Sequence, residues 1–232
     1  MTFELGVLGG MGPEATTSFL KRLIELTPAC CDQDHISSVT FMDTKIPDRS
    51  TSIIEGSNEP LRHLIKGVKY LNFLGCKYIV MPCNSAHFWF EELQAISNVP
   101  ILNMPEITIA AAQKSEVQEA ELWATNGTIS SAIFQKPAHI HNFEICLPDE
   151  ITQNLINLAI GYVKSGKIQK ARRCVQKILD KNTHKSLKAS DKTIILGCTE
   201  LSLLASEISC YNYFDTQECL AHECVLKASI KN

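Results

Sequence analysis

Two short motifs place a cysteine where an apolar run gives way to polar, helix-opening residues. One is Met81-Pro82-Cys83-Asn84-Ser85-Ala86-His87 and the other is Leu196-Gly197-Cys198-Thr199-Glu200-Leu201. Each has one or two spacer residues before the thiol, and the two cysteines stand about half the chain apart. A thiol at a helix N-terminus has a lowered pKa, because the dipole and the free amides favour thiolate. Asn84, Ser85 and Thr199 add side-chain polar groups beside those amides, which would suit a carboxylate. Two thiols facing each other across a ligand could take a proton from one face of a carbon and return one to the other. That is stereoinversion by two bases, and it works without a cofactor if the site stabilises the carbanion-like transition state. Either cysteine alone reads better as a core residue; the matched pair is what points to chemistry. Cys83 with His87, four apart on one helix face, would also suit zinc, although the sequence places no further ligands.

A third motif, Gly9-Gly10-Met11-Gly12-Pro13-Glu14-Ala15-Thr16, follows the first apolar segment. Its glycines allow close backbone approach, Pro13 suits a first helical turn, and bare amides there would hold an anion. The spacing is not Gly-x-Gly-x-x-Gly, and no ribose-binding acid follows at the usual distance, which weakens a dinucleotide reading.

Residues in these positions need strands to carry them. Apolar segments at 3–8, 38–42, 78–81, 101–102, 121–124, 144–147, 193–196 and 213–214 read as strands. Amphipathic stretches at 14–26, 59–74, 88–96, 150–163, 168–179 and 200–208 read as helices. This alternation predicts an α/β fold with a parallel sheet and helices on both faces, and the half-chain spacing of the two cysteines is what two similar lobes related by pseudo-two-fold symmetry would give. In such folds ligands bind beyond the carboxyl ends of the strands. The Pro-Ile-Leu-Asn-Met-Pro run at 100–105 reads as a crossover. The expected division is 1–99 plus 212–232 for a lobe carrying Cys83, and 100–211 for a lobe carrying Cys198. Residues 164–192 hold ten basic side chains against Asp180 and Asp191, which reads as a solvated helix face or a polyanion patch.

Composition narrows the function classes. The 232 residues, 45% hydrophobic and 20% charged, suffice for a substantial core. With 22 basic against 25 acidic residues the formal charge is −3, which argues against a nucleic-acid partner bound through a broad basic surface. No apolar run approaches the ~20 residues needed to span a membrane. The Met1-Thr2-Phe3-Glu4 start lacks a secretory signal, so the expected location is cytoplasmic. Ten cysteines with no Cys-x-x-Cys spacing then read mostly as reduced thiols, Cys76, Cys146, Cys174 and Cys224 as core residues among them.

Taken together, the three motifs resemble the aspartate/glutamate racemase family, and in particular its cofactor-independent aspartate racemase branch. The likeness runs nearly the whole chain. It implies two similar parallel-sheet α/β lobes with the active-site cleft between them, a homodimer, a small-molecule amino-acid substrate and no cofactor or metal. It implies that Cys83 and Cys198 are the paired acid/base thiols. Arg49, in Ile46-Pro47-Asp48-Arg49-Ser50, matches a basic residue near the cleft, suited to a bidentate grip on a carboxylate. Lys164 matches a lysine that can approach the site. Met11, Asn84, Ser85, Thr125 and Thr199 fall where the substrate's carboxylate and ammonium would be held. Glu200 could orient its neighbouring thiol, accept from the ammonium, or simply open a helix. Ala124 and Asn126 stand where the family often shows Gly and Arg, and Leu220 where it often shows His. Aspartate is favoured as substrate, with glutamate or a broader range as the alternative. Other readings are a dicarboxylate isomerase or decarboxylase using the same cysteines, and a non-catalytic amino-acid-binding protein.

Overall fold

The computed structural model describes residues 3–183 and 192–229. Eight strands, β1 Phe3–Gly9, β2 Ser38–Met42, β3 Cys76–Val80, β4 Ile101–Leu102, β5 Glu119–Trp123, β6 Glu144–Cys146, β7 Thr193–Leu196 and β8 Asn212–Asp215, match the eight apolar segments of the sequence. They form two four-stranded parallel sheets with the same relative order, β2-β1-β3-β4 and β6-β5-β7-β8. Parallel strands need both faces covered, so the central strands read as near-continuous apolar runs. Val7, Leu8, Ile79 and Val80 in one sheet, and Leu122, Ile194, Ile195 and Leu196 in the other, are fully buried.

Each sheet has a core on both faces. In the first, helices α1 Pro13–Leu26 and α11 Thr216–Ser229 cover one face, with Phe19, Leu23, Leu220 and Cys224 in contact with Leu5 and Val7. Helices α3 Glu59–Phe73 and α4 Phe90–Ile96 cover the other. In the second, α8 Glu150–Lys164 and α9 Ile168–Thr183 pack on one face. Helices α5 Met104–Lys114 and α7 Gln135–Ile140 pack on the opposite face.

Several details differ from the sequence reading. The 100–105 run is not a bare crossover: it forms β4, and Asn103 then caps α5 with its side chain. β4 pairs with β3 and β8 pairs with β7, so the sheets divide a few residues away from the expected boundaries at 99/100 and 211/212. The stretch at 88–96 divides into a 3₁₀ turn, Asn84–Trp89, and α4. The stretch at 200–208 divides into α10 Thr199–Ser202 and a 3₁₀ turn, Ala205–Ile208. Helices α2 Arg49–Ile54 and α6 Asn126–Ser130 are too short to show a period in sequence. Of the basic stretch, 184–191 lie outside the described residues. Lys164, Arg172, Lys181 and Lys192 pair with Asp48, Glu207, Asp149 and Glu121. Among the described residues, no helix is long and apolar enough to cross a membrane.

Candidate active site

Cys83 and Cys198 occupy equivalent places, each just after the third strand of its sheet. Each is the extended N-cap residue of the turn that follows, Cys83 before Asn84–Trp89 and Cys198 before α10. Both side chains line one cavity. The residues expected to hold substrate line it too: Met11, Arg49, Asn84, Ser85, Thr125, Lys164, Thr199 and Glu200. The elements that bring them are the loops after β1, β3, β5 and β7, the N-terminus of α2 and the C-terminus of α8.

The electrostatics of Cys198 correct one expectation. Its pKa lies well above the ordinary thiol value. Burial is the largest cause, and the Glu200 carboxylate, which accepts a hydrogen bond from Sγ at 3.0 Å, adds to it. Lys164 pulls the other way without prevailing. α10 has only four residues, so few aligned amides oppose a buried carboxylate in contact with the sulfur. Cys198 is therefore a protonated donor at neutral pH.

Two cations face the cavity with their own partners. Arg49 is buried and donates through Nη1 to the carbonyls of Ile46 and Pro47, at 3.2 and 3.0 Å, while its Nε lacks a partner. Lys164 Nζ donates to Asp48 Oδ2 at 3.0 Å. Burial opposes the Lys164 charge, but Glu200, Cys198 and Asp48 outweigh it and raise its pKa. Burial likewise pushes Asp48 up, and the Thr51 amide, Lys164 and Arg49 bring it down to about 2. Asn126 accepts from Asn157 on α8 at 2.8 Å.

Hydroxyls form a second cluster. Ser85 Oγ lies 2.8 Å from Thr128 Oγ1 and 3.4 Å from Thr125 Oγ1, and Thr125 also caps α6 by accepting from the Thr128 amide. Met11 supplies an apolar wall. In the Gly loop that carries it, the Gly10 amide serves packing rather than an anion. The Gly10 amide donates to Thr16 Oγ1, and a Cβ on Gly10 (φ +96°) would meet the Asp43 backbone at 2.4 Å.

His87 is a brace rather than a zinc ligand. Its Nε2 accepts from the Met104 amide at 3.2 Å, which leaves Nδ1–H to donate to Cys83 O at 3.0 Å. Burial lowers its pKa to about 4, so it stays neutral. Among the described residues the grouping suited to a metal ion is Glu119, Glu144 and Cys146, none of which lines the cavity. All ten cysteines are unpaired thiols.

Asp48, Ser50 and Gly197 also line the cavity and were not singled out from sequence. A signal for Asp48 existed: Asp-x-x-Thr is a helix-start pattern, and Asp48 Oδ1 does accept from the Thr51 amide. Ser50 gave none, because its role depends on a distant segment: its Oγ accepts from the Gly127 amide at 2.9 Å.

A family model for Asp/Glu/hydantoin racemases matches residues 8–224. The broad specificity amino-acid racemase RacX of Bacillus subtilis (strain 168) is 28% identical over 226 residues, covering 95% of this chain and 96% of its own. Picrophilus torridus aspartate racemase superposes with a TM-score of 0.85 at 31% identity, over 97% of this chain and 94% of that one. Glutamate racemase isoform RacE1 from Bacillus anthracis shares the fold, with a TM-score of 0.69 at 21% identity over 94% and 79%.

Proposed function

The chain belongs to the Asp/Glu/hydantoin racemase family, and on that premise we propose that it inverts the α-carbon of an acidic amino acid, aspartate preferred. Membership makes it an isomerase; the mechanism and substrate are our reading. Cys83 and Cys198 act on opposite faces of the substrate. As thiolate, one takes the α-proton while the other returns a proton from its thiol, and the roles exchange for the other enantiomer. Cys198, held protonated by burial and Glu200, starts as a donor. When it acts as base, its proton passes to the Glu200 carboxylate and Lys164 steadies the thiolate. Arg49 and Lys164 offer positive charge to the carboxylates, and Ser85, Thr125 and Thr199 offer hydroxyls. The reading calls on no metal or cofactor, and takes the working enzyme to be a homodimer in the cytoplasm.

The observation that carries this reading is the pair of thiols on topologically equivalent turns, lining one cavity with two cations. Purified protein is expected to interconvert L- and D-aspartate. Cys83→Ala and Cys198→Ala should each lower the rate by about 10²–10⁴-fold or more, the usual range for losing a positioned acid or base. Full racemisation by either variant would refute the two-thiol mechanism. Maleate and neutral amino acids belong in the same screen. Turnover of maleate instead would favour a dicarboxylate isomerase, and binding without α-deuterium uptake a non-catalytic binding protein.

Broad specificity is a second reading with an observation of its own. Arg49 and Lys164 are matched by Asp48 and Glu200 in the cavity wall, so its formal charges cancel. A balanced wall suits a neutral zwitterion as well as an acidic amino acid.

A further inference from the structure

We infer that Thr216 is a positioning residue that fixes the Asn84 side chain with its carbonyl oxygen free to accept from the substrate ammonium. The inference rests on the racemase reading above. Thr216 is fully buried, opens α11 immediately after β8, and does not line the cavity. Its single hydroxyl proton goes to Leu196 O at 2.9 Å. Oγ1 can then only accept from the next partner, and that partner is Asn84 Nδ2 at 2.9 Å. The direction of this chain settles the amide orientation, because a flipped Asn84 would set two acceptors against each other.

Asn84 is itself 3% exposed and lines the cavity, and its Oδ1 is a buried oxygen with no partner. A buried amide oxygen left without a donor is rare and costly. A ligand that supplies an N–H at this point would satisfy it, and the α-ammonium is the donor that an amino acid carries and a plain dicarboxylate lacks. Arg49 Nε, a buried donor without a partner on the same cavity wall, suits the carboxylate end. Thr216 also spans the lobes. It holds the turn after Cys83 on one side and, on the other, the last residue of β7, two positions before Cys198.

The test compares aspartate with succinate, its counterpart lacking the amino group, in Thr216→Val, Thr216→Ala and Thr216→Ser. Val keeps the shape and removes the hydroxyl, and Ala removes it by truncation should Val disturb folding. Both are expected to raise KM for aspartate about tenfold or more, the scale of one charge-assisted hydrogen bond. Inhibition by succinate should stay within about twofold, and Ser should restore the wild-type KM. An unchanged KM in Thr216→Val, or equal weakening of aspartate and succinate, would overturn the inference. Absence of racemisation in the wild-type protein would instead overturn the proposed function. Ligand-induced thermal shifts with the same two compounds would still decide the role of Thr216.

Discussion

At Cys198, burial and a carboxylate 3.0 Å from the sulfur outweigh the pull of Lys164, so the thiol keeps its proton through neutral pH. Replacing Glu200 by Gln removes a charge that opposes thiolate, weakens the acceptor that holds the proton and adds an amide N–H able to donate to the sulfur. The sign is then fixed: the Cys198 pKa must fall, and thiolate must form at lower pH than in the wild type. Peptide-resolved alkylation of Cys198 across a pH series should show its midpoint move downward. A midpoint that stays or rises would contradict the assignment. This correction shows what a motif hides. Cys-Thr-Glu opening a helix was visible in sequence, and so was Glu200 two residues on. What the motif does not show is that this carboxylate turns back onto the sulfur, where Thr199 Oγ1 also donates to it at 3.4 Å.

The elements divide by how they are covered. Strands with both faces buried announce themselves as apolar runs, and long helices such as α3 and α8 as one-sided patterns. α11 did not stand out, because it lies between α1 and α5 and carries polar residues inward with their own partners. Gln217, 3% exposed, donates to Ala15 O at 2.9 Å, and Glu218 pairs with Arg22 on α1. Helices α2 and α6 escaped the sequence reading for another reason: they are a turn or so long and exist to meet each other across the cleft. Gly127 makes that meeting close, since a Cβ there would stand 2.4 Å from Ser50 Cα. Gly127→Ala is therefore expected to destabilise by about 1–3 kcal/mol. In a chain of this length that lowers the melting temperature by several degrees, on the order of 2–4 °C per kcal/mol. It should also raise KM, because Arg49 and Ser50 move with α2. Thermal unfolding and steady-state kinetics unchanged from wild type would rule out this close packing.

Across the whole molecule, two sheets of the same order face one cavity, and the halves are tied by contacts at its wall. Asn84 reaches Thr216, Ser85 reaches Thr128, and Asp48 reaches Lys164. The last pair bears on specificity. Asp48→Asn would free Lys164 for a substrate side-chain carboxylate. The ratio of kcat/KM for aspartate over alanine should then rise, and a ratio that falls would show that Asp48 serves the acidic substrate rather than competing with it. The two cysteine turns were legible because post-strand positions in parallel sheets converge by topology, whereas Arg49 at the start of α2 and Lys164 at the end of α8 came only with the family resemblance. The ties between lobes were not legible, because each depends on a pair of residues far apart in sequence. Proton transfer by two separate thiols leaves an isotopic signature in the early turnover of L-aspartate in deuterium oxide. D-Aspartate formed is expected to carry one α-deuterium while the remaining L-aspartate stays unlabelled. Product that retains its α-hydrogen, or substrate that exchanges as fast as product forms, would contradict it.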